Sequence, residues 1–268
     1  MGRFASTVPF YARFREPYPP EFFSTVAERL ALAPDTKLLD AGCGPGLLAI
    51  GFAPYVGHCT GVDPEPDMIR AARAAADAAG VQLQLIEGRL EDLPESLGAF
   101  DLVTIGRALH WMDRQASLRV LDRAVTTGGA LITCGTRTVP IPANRWLEPY
   151  DEVRNAWAAD RGARHHQIDH NAWFAESRFR VAGEITVRHH HRVTIGDLIG
   201  RALSKSNTSP EVLGERCNSF EAALRAVLEP FAVGGSLDEE IVAVATVMRL
   251  LADERVGGFS GVTHPVNQ

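Results

Sequence analysis

The first half of the chain alternates short apolar runs with longer amphipathic segments. Apolar residues at helical spacing predict a helix over residues 21–33, which Pro34 ends. Beyond it, apolar runs of strand length alternate with segments of helical periodicity. The predicted strands cover residues 37–41, 58–62, 81–87, 100–105 and 130–134, and the predicted helices cover residues 47–56, 67–79 and 116–125. This alternation predicts a parallel sheet with helices on both faces and a ligand site at the carboxyl ends of the strands.

The pattern changes after the fifth strand. Residues 137–182 hold three of the four tryptophans and many arginines and histidines, and we interpret them as a helical lid. Two β-branched stretches, 184–193 and 241–248, predict late strands with helical residues between them. The expected divisions of one domain are residues 1–33 (leader and first helix), 34–136 (cofactor-binding core), 137–182 (lid), 183–253 (late strands and helices) and 254–268 (tail).

Composition and charge favour one globular domain that acts on something other than nucleic acid. The chain has 268 residues, of which 46% are apolar and 22% charged, and its net charge is −6. Proteins that bind polynucleotides carry an excess of basic residues, so a nucleic-acid substrate is disfavoured.

The four cysteines show neither disulfide nor metal-ligand spacing. The N-terminus is too polar for a signal peptide and no apolar run reaches membrane-spanning length, which predicts a cytoplasmic location and no membrane partner.

The sequence LLDAGCGPG, residues 38–46, forms a glycine-crowded turn behind the first strand. A phosphate-binding loop would place lysine and then serine or threonine after the turn, but Leu47 and Leu48 follow it. A dinucleotide loop has the spacing G-x-G-x-x-G, whereas these glycines stand at 42, 44 and 46. Asp40 before the turn would repel a pyrophosphate. A carboxylate there suits a cationic ligand such as S-adenosylmethionine, which carries a sulfonium, an ammonium and no phosphate.

A second carboxylate, Asp63, ends the second strand, 23 positions after Asp40. This distance is one strand–helix–strand step, and an acid at that place can accept both hydroxyls of a ribose. NAD-binding folds share the spacing, so an NAD-type oxidoreductase is an alternative on this feature alone. Together with Asp40 and the glycine spacing, Asp63 favours S-adenosylmethionine.

Five segments resemble, in order and spacing, the class I S-adenosylmethionine-dependent methyltransferases. They are LLDAGCGPG, GVDPEPDMI, EGRLEDLP, FDLVTIGRALHWMD and GGALI. HWMD, the leader YARFREPYP and residues 184–249 are similar to the trans-aconitate methyltransferase-like small-molecule subgroup. The resemblance implies a Rossmann-like, doubly wound α/β sheet of about seven strands, the last antiparallel. The helical lid interpreted above would be inserted after strand five of this sheet.

The resemblance also implies which residues hold the cofactor, S-adenosylmethionine. The expected residues are Tyr11, Arg15, Asp40, Gly42, Cys43, Gly44, Asp63, Pro64, Met68, Arg89, Leu90, Glu91, Gly106 and Arg107. Many relatives place an aspartate where Arg89 stands, and arginine cannot accept a hydrogen bond. Adenine recognition is therefore expected from the backbone of Leu90 or from Glu91.

The expected acceptor is a small molecule that contacts residues after the fourth and fifth strands. These residues are His110, Trp111, Arg137 and Trp146. His110 is either a general base or a histidine packed beside Trp111. The lid arginines either form a solvated helix face or clamp an anionic acceptor. No metal site is expected, because a convincing third ligand is lacking. A cofactor-binding module without turnover is an alternative to an enzyme.

Overall fold

A computed structural model describes residue 14, residues 16–159 and residues 169–251, and these form a sheet with helices on both faces. The strands are β1 (Lys37–Ala41), β2 (His58–Asp63), β3 (Gln84–Glu87), β4 (Phe100–Gly106), β5 (Val125–Thr138), β6 (Phe179–Thr194) and β7 (Ser236–Leu250). The helices are α1 (Pro20–Leu30), α2 (Leu47–Phe52), α3 (Pro66–Ala79), α4 (Arg114–Ala124), α5 (Leu147–Trp157), α6 (His170–Phe174), α7 (Ile195–Leu203), α8 (Pro210–Leu213) and α9 (Cys217–Leu228).

The seven strands lie in the order β3-β2-β1-β4-β5-β7-β6. Strands β1 to β5 pair in parallel, and β7 is antiparallel to both of its neighbours. The predicted Rossmann-like α/β sheet with an antiparallel last strand is therefore confirmed. The strand order reverses between β1 and β4, which is where a doubly wound sheet opens a crevice for a ligand.

Alternate residues of each strand face opposite helical layers, because successive side chains of a strand point to opposite faces. Leu38 of β1 packs with Phe22 of α1 on one face. Its neighbour Leu39 packs with Leu121 of α4 on the other face. All four side chains are buried. The two layers leave the carboxyl edge of the sheet as the open side at β1 and β4.

The helical residues after β5 are arranged differently from the predicted lid over residues 137–182. Strand β5 continues to Thr138 and β6 begins at Phe179, so both ends of the predicted segment belong to the sheet. Helix α5 packs against α9, which belongs to the connection between β6 and β7. Together α5, α7, α8 and α9 form one helical cluster around Tyr150, Phe220 and Leu224. Two chain segments that are distant in sequence thus share one apolar core.

A buried ion pair joins the helical cluster to the sheet. Arg201 of α7 donates to both carboxylate oxygens of Glu239 in β7, at 2.6 and 2.9 Å. Glu239 also accepts a hydrogen bond from Oγ1 of Thr138 and lies 3.1 Å from Nε2 of His191. Burial alone would raise the pKa of Glu239, but the bonds from His191 and Arg201 lower it to about 2.

Among the helices within the described ranges, none combines the length and apolar character needed to cross a bilayer.

Candidate cofactor site

The glycine turn between β1 and α2 has a backbone that only glycine adopts readily. Gly42, Gly44 and Gly46 have φ angles of 69°, 53° and 84°, in the left-handed region. A Cβ atom on Gly42 would lie 2.5 Å from Cβ of Ala108, in the loop after β4. The glycines are therefore needed both for the turn and for the close approach of the two loops.

The N–H groups of this turn are bonded within the protein. Gly42 and Cys43 both donate to the carbonyl oxygen of Val62, at 2.8 and 3.0 Å. Gly44 donates to Oδ2 of Asp63 at 2.8 Å, and the proline that follows has no N–H. A loop that cradles phosphate instead points several N–H groups at the ligand. The turn therefore offers a close-packed backbone surface and few donors for an anion.

Asp40 lies beneath the turn as a buried acid. The parallel register places it opposite Thr104 of β4, whose Oγ1 donates to Oδ1 of Asp40 at 2.8 Å. The N–H of Ala49 in α2 donates to Oδ2 at 3.1 Å. Burial raises the pKa of Asp40 to about 7, the hydrogen bonds from Thr104 and Ala49 partly oppose this, and the nearby Asp63 raises it further.

Asp63 is at the end of β2, on the other side of the turn, and is 8% exposed. Its Oδ2 accepts the N–H of Gly44 and its Oδ1 accepts the N–H of Glu65 at 3.0 Å. Each carboxylate oxygen can accept two hydrogen bonds, so both oxygens keep capacity for a ribose diol. Burial raises the pKa of Asp63, and the two backbone bonds oppose this. Asp63 thus has the place and the capacity that the sequence predicts.

A small cavity lies between the glycine turn and the end of β4. Its walls are formed by Tyr18, Asp40, Gly42, Cys43, Gly44, Pro45, Leu47, Leu48, Gly106 and Arg107. Its volume is about 30 Å³, above the roughly 10–15 Å³ that a cavity needs to hold one water molecule. A Cβ on Gly106 would lie 2.6 Å from Cδ1 of Leu48, so this wall is closely packed. The lining fits the methionine end of S-adenosylmethionine in chemistry, because the carboxylate of Asp40 and the glycine backbone both line it.

Arg107 also lines this cavity, with a left-handed φ of 56°. Its N–H donates to the carbonyl oxygen of Cys134, and its guanidinium donates to the carbonyl oxygen of Glu16 and to Thr136. The guanidinium carbon lies 4.9 Å from the ring centre of Tyr18. The side chain is therefore fixed by the leader and β5 at the edge of the cavity.

Four residues that line the cavity were not among the expected cofactor residues: Tyr18, Pro45, Leu47 and Leu48. Pro45, Leu47 and Leu48 could have been found from their position in and directly after the glycine turn. Tyr18 belongs to the leader, and only tertiary contacts bring it to this edge.

On the predicted adenine side, the structure buries two apolar side chains and leaves Pro64 exposed. Met68 is 5% exposed, and its sulfur lies 4.0 Å from the position of a Cβ on Gly44, so it packs against the turn. Leu90 is 3% exposed and belongs to the core beside α4. Met68 therefore borders the expected nucleoside position.

Glu91 has structural partners that the sequence does not predict. Its Oε1 accepts the N–H of Asp113 at 2.7 Å and the hydroxyl of Ser117 at 3.3 Å, and the exposed Arg89 lies 3.3 Å away. Burial alone would raise the pKa of Glu91, but hydrogen bonds from backbone amides and from Arg89 lower it. The carboxylate therefore ties the loop after β3 to the start of α4. The backbone of Leu90 is the better candidate for the adenine edge.

The predicted acceptor residues separate into three exposed side chains and one buried one. His110 and Trp111 form an exposed 3₁₀ turn after β4, with ring centres 4.7 Å apart, and Arg137 is exposed on β5. Trp146 is 2% exposed, packs in the helical cluster and donates its indole N–H to the carbonyl oxygen of Asp238 at 2.9 Å. The expectation that Trp146 contacts the acceptor is therefore corrected: its neighbours are core residues.

Two residues of the expected cofactor set, Tyr11 and Arg15, lie outside the described residues.

Comparison with known proteins identifies the glycine turn and its surroundings as part of a methyltransferase domain. Residues 38–129 match the family described as "Methyltransferase domain". A ubiquinone biosynthesis O-methyltransferase of Xanthomonas campestris is 34% identical over 117 residues, which cover 43% of this chain and 48% of that protein. The chain spans about half the length, or less, of the curated relatives it matches.

Solved structures share the fold over most of the chain. A candidate type II methyltransferase from Anaeromyxobacter dehalogenans superposes with a TM-score of 0.61 at 20% identity, covering 88% of this chain and 97% of that one. A methyltransferase from Thiobacillus denitrificans, solved in complex with S-adenosyl-L-homocysteine, gives a TM-score of 0.50 at 17% identity, covering 92% and 99%.

Residues 38–129 are therefore a methyltransferase domain, which supports the predicted enzyme class and, with it, the predicted cofactor S-adenosylmethionine. The predicted subgroup and the predicted acceptor are more specific than the description of the matched family.

We predict that Gly42→Ala abolishes binding of S-adenosylhomocysteine and destabilises the fold. The added methyl would meet Cβ of Ala108 at 2.5 Å, in addition to the strain of a left-handed alanine. The matched control is Gly80→Ala, where φ is 66° but no atom lies within 4 Å of the added carbon. That variant should lose about 1–2 kcal/mol of unfolding free energy and keep its affinity. Equal losses of stability and affinity in the two variants would contradict the close-approach argument.

Proposed function

We propose that the protein transfers a methyl group from S-adenosylmethionine to a small-molecule acceptor. The observation that carries the proposal is the pair of buried acids, Asp40 and Asp63, on either side of a turn whose N–H groups are already bonded. This arrangement suits a nucleoside with positive charge and a ribose diol. It is unsuited to a pyrophosphate, which requires free donors and repels carboxylates.

Several features support a small-molecule acceptor. The net charge of −6 disfavours a polynucleotide. The Xanthomonas relative is named a ubiquinone biosynthesis O-methyltransferase, and ubiquinone is a small molecule. The exposed Arg137 on β5 would suit an anionic group, since guanidinium binds carboxylate bidentately. The motif HWMD and the leader favour an acceptor of the trans-aconitate methyltransferase-like subgroup. A cytoplasmic location is part of the same proposal.

The protein's task in such a transfer is positioning. S-Adenosylmethionine supplies a methyl group on a sulfonium, and the neutral thioether that departs with the electron pair of the C–S bond is an excellent leaving group. The chain must therefore hold the acceptor in line, next to the end of β4, and exclude water from that place. Holding two reactants in a near-attack geometry is worth about 7–11 kcal/mol of the barrier. The glycine turn fixes one reactant, and the loop carrying His110 lies at the same edge of the sheet.

His110 is the proposed proton acceptor for a hydroxyl, amine or carbon acid. It lies in the exposed turn that directly follows Arg107 and Ala108. A histidine removes a proton efficiently because its usual pKa is near neutral. If the accepting atom belongs to a carboxylate, no base is needed.

The direct test of the proposed function is binding followed by transfer. Isothermal titration calorimetry should show one S-adenosylhomocysteine site per chain and no heat of binding with NADH. Incubation with tritiated S-adenosylmethionine and a panel of small carboxylates, phenols and amines should then label at least one acceptor. Binding of NADH without S-adenosylhomocysteine would overturn the proposal. Binding of S-adenosylhomocysteine without any transfer, including to protein and RNA, would favour a binding module.

The pH dependence of binding should report the ionisation of Asp40. Its pKa of about 7 lies above the usual carboxyl value, so lowering the pH through 7 neutralises the acid beneath the turn. Wild-type affinity for S-adenosylmethionine should therefore fall about tenfold, relative to Asp40→Asn, between pH 8 and pH 6. Calorimetry of both proteins across this range measures the difference, which also removes the cofactor's own titration. Parallel pH profiles would show that Asp40 does not act through its charge.

Replacing His110 should separate catalysis from cofactor binding. With a hydroxyl or amine acceptor, His110→Ala should lower kcat by about 10²–10⁴-fold and leave the affinity for S-adenosylhomocysteine unchanged. The matched control is His58→Ala, because His58 is also exposed but begins β2 at the opposite edge of the sheet. Unchanged kcat in His110→Ala with such an acceptor would exclude the base role.

A further inference from the structure

The strap, residues 16–19, precedes α1 and is bonded to the ends of two strands. The carbonyl oxygen of Glu16 accepts a hydrogen bond from Nη2 of Arg107 at 2.7 Å and one from Oγ1 of Thr136 at 3.1 Å. Arg107 directly follows β4, and Thr136 belongs to β5. The backbone of the strap is therefore fixed to the strand ends that border the proposed cofactor site.

The side chain of Glu16 reaches the opposite way, to the helical cluster. Its Oε1 lies 3.4 Å from Nζ of Lys205 and 4.0 Å from Nε of Arg201. Arg201 is itself held by both oxygens of Glu239. The Glu16 side chain is only 11% exposed, so water screens these charges weakly. One residue thus joins α7 to the carboxyl edge of the sheet.

Tyr18, in the same strap as Glu16, is one of the residues that line the cavity. It lies two residues after Glu16, and its ring packs beneath the guanidinium of Arg107. Its hydroxyl oxygen lies 3.5 Å from the position of a Cβ on Gly106, at the cavity wall. Because only two peptide units separate the residues, the bonds that hold Glu16 also fix where the Tyr18 ring lies.

We propose that Glu16 is a positioning residue that holds Tyr18 as a wall of the cofactor pocket. The carboxylate fixes the strap against the helical cluster, and the strap places the ring beside Gly106. Tyr18 and Gly106 both line the small cavity beside the glycine turn, so the position of the ring limits how far a ligand enters there. This inference rests on the proposed function of the same pocket.

The test is calorimetric binding of S-adenosylhomocysteine to the full chain carrying Glu16→Gln. Removing the charge should raise Kd on the order of tenfold, because hydrogen bonds to charged groups are the strong ones. The matched control is Glu240→Gln, which breaks the ion pair between β7 and Arg188 on β6. That control should leave Kd unchanged. Lys205→Met removes the cation that lies 3.4 Å from Oε1 of Glu16, and it should also raise Kd.

A double-mutant cycle with Tyr18→Ala distinguishes positioning from general destabilisation. If Glu16 acts through Tyr18, adding Glu16→Gln to Tyr18→Ala should change Kd by less than about twofold. A full tenfold effect in both backgrounds, or no effect of Glu16→Gln and Lys205→Met on the wild-type background, would overturn the inference. Failure of the wild-type protein to bind S-adenosylhomocysteine would instead refute the proposed function.

Discussion

The site depends on one hydrogen-bonded turn, the glycine turn between β1 and α2. The carboxylate of Asp63, at the end of β2, holds the backbone of this turn. Asp63 accepts the N–H of Gly44, and the carbonyl oxygen of Val62 accepts the N–H groups of Gly42 and Cys43. These bonds keep the glycines in left-handed conformations that other residues adopt only at a cost. The surface presented to a ligand is therefore formed before any ligand arrives. A preformed site avoids the cost of ordering the loop on binding.

The second constraint is electrostatic. Asp40 is almost fully buried, and its pKa is raised both by burial and by the charge of Asp63. Two acids this close are unfavourable in a protein without compensation, because each disfavours ionisation of the other. A cationic ligand offsets that repulsion, whereas an anionic one adds to it. The same carboxylates that make the free site unfavourable thus select the charge of what binds there.

The sequence predicted the parts of the structure that depend on local pattern. Strand and helix alternation, the glycine spacing and the placement of Asp40 and Asp63 near the ends of successive strands all follow from residues close together in the chain. The helical cluster could not be predicted in this way, because Trp146 and Phe220 meet only after two distant segments pack together. The place of Tyr18 has the same origin: it is set by contacts with β4 and β5. Local sequence thus predicts the cofactor turn, and tertiary packing decides what surrounds it.

The central claim is that the two acids and the glycine turn hold a cationic nucleoside cofactor. A crystal structure of the protein with S-adenosylhomocysteine tests it most directly. The account predicts that both ribose hydroxyls lie within hydrogen-bond distance of Asp63, with the sulfur between the turn and the end of β4. Density for the ligand elsewhere on the chain, or a ribose with no contact to Asp63, would contradict it.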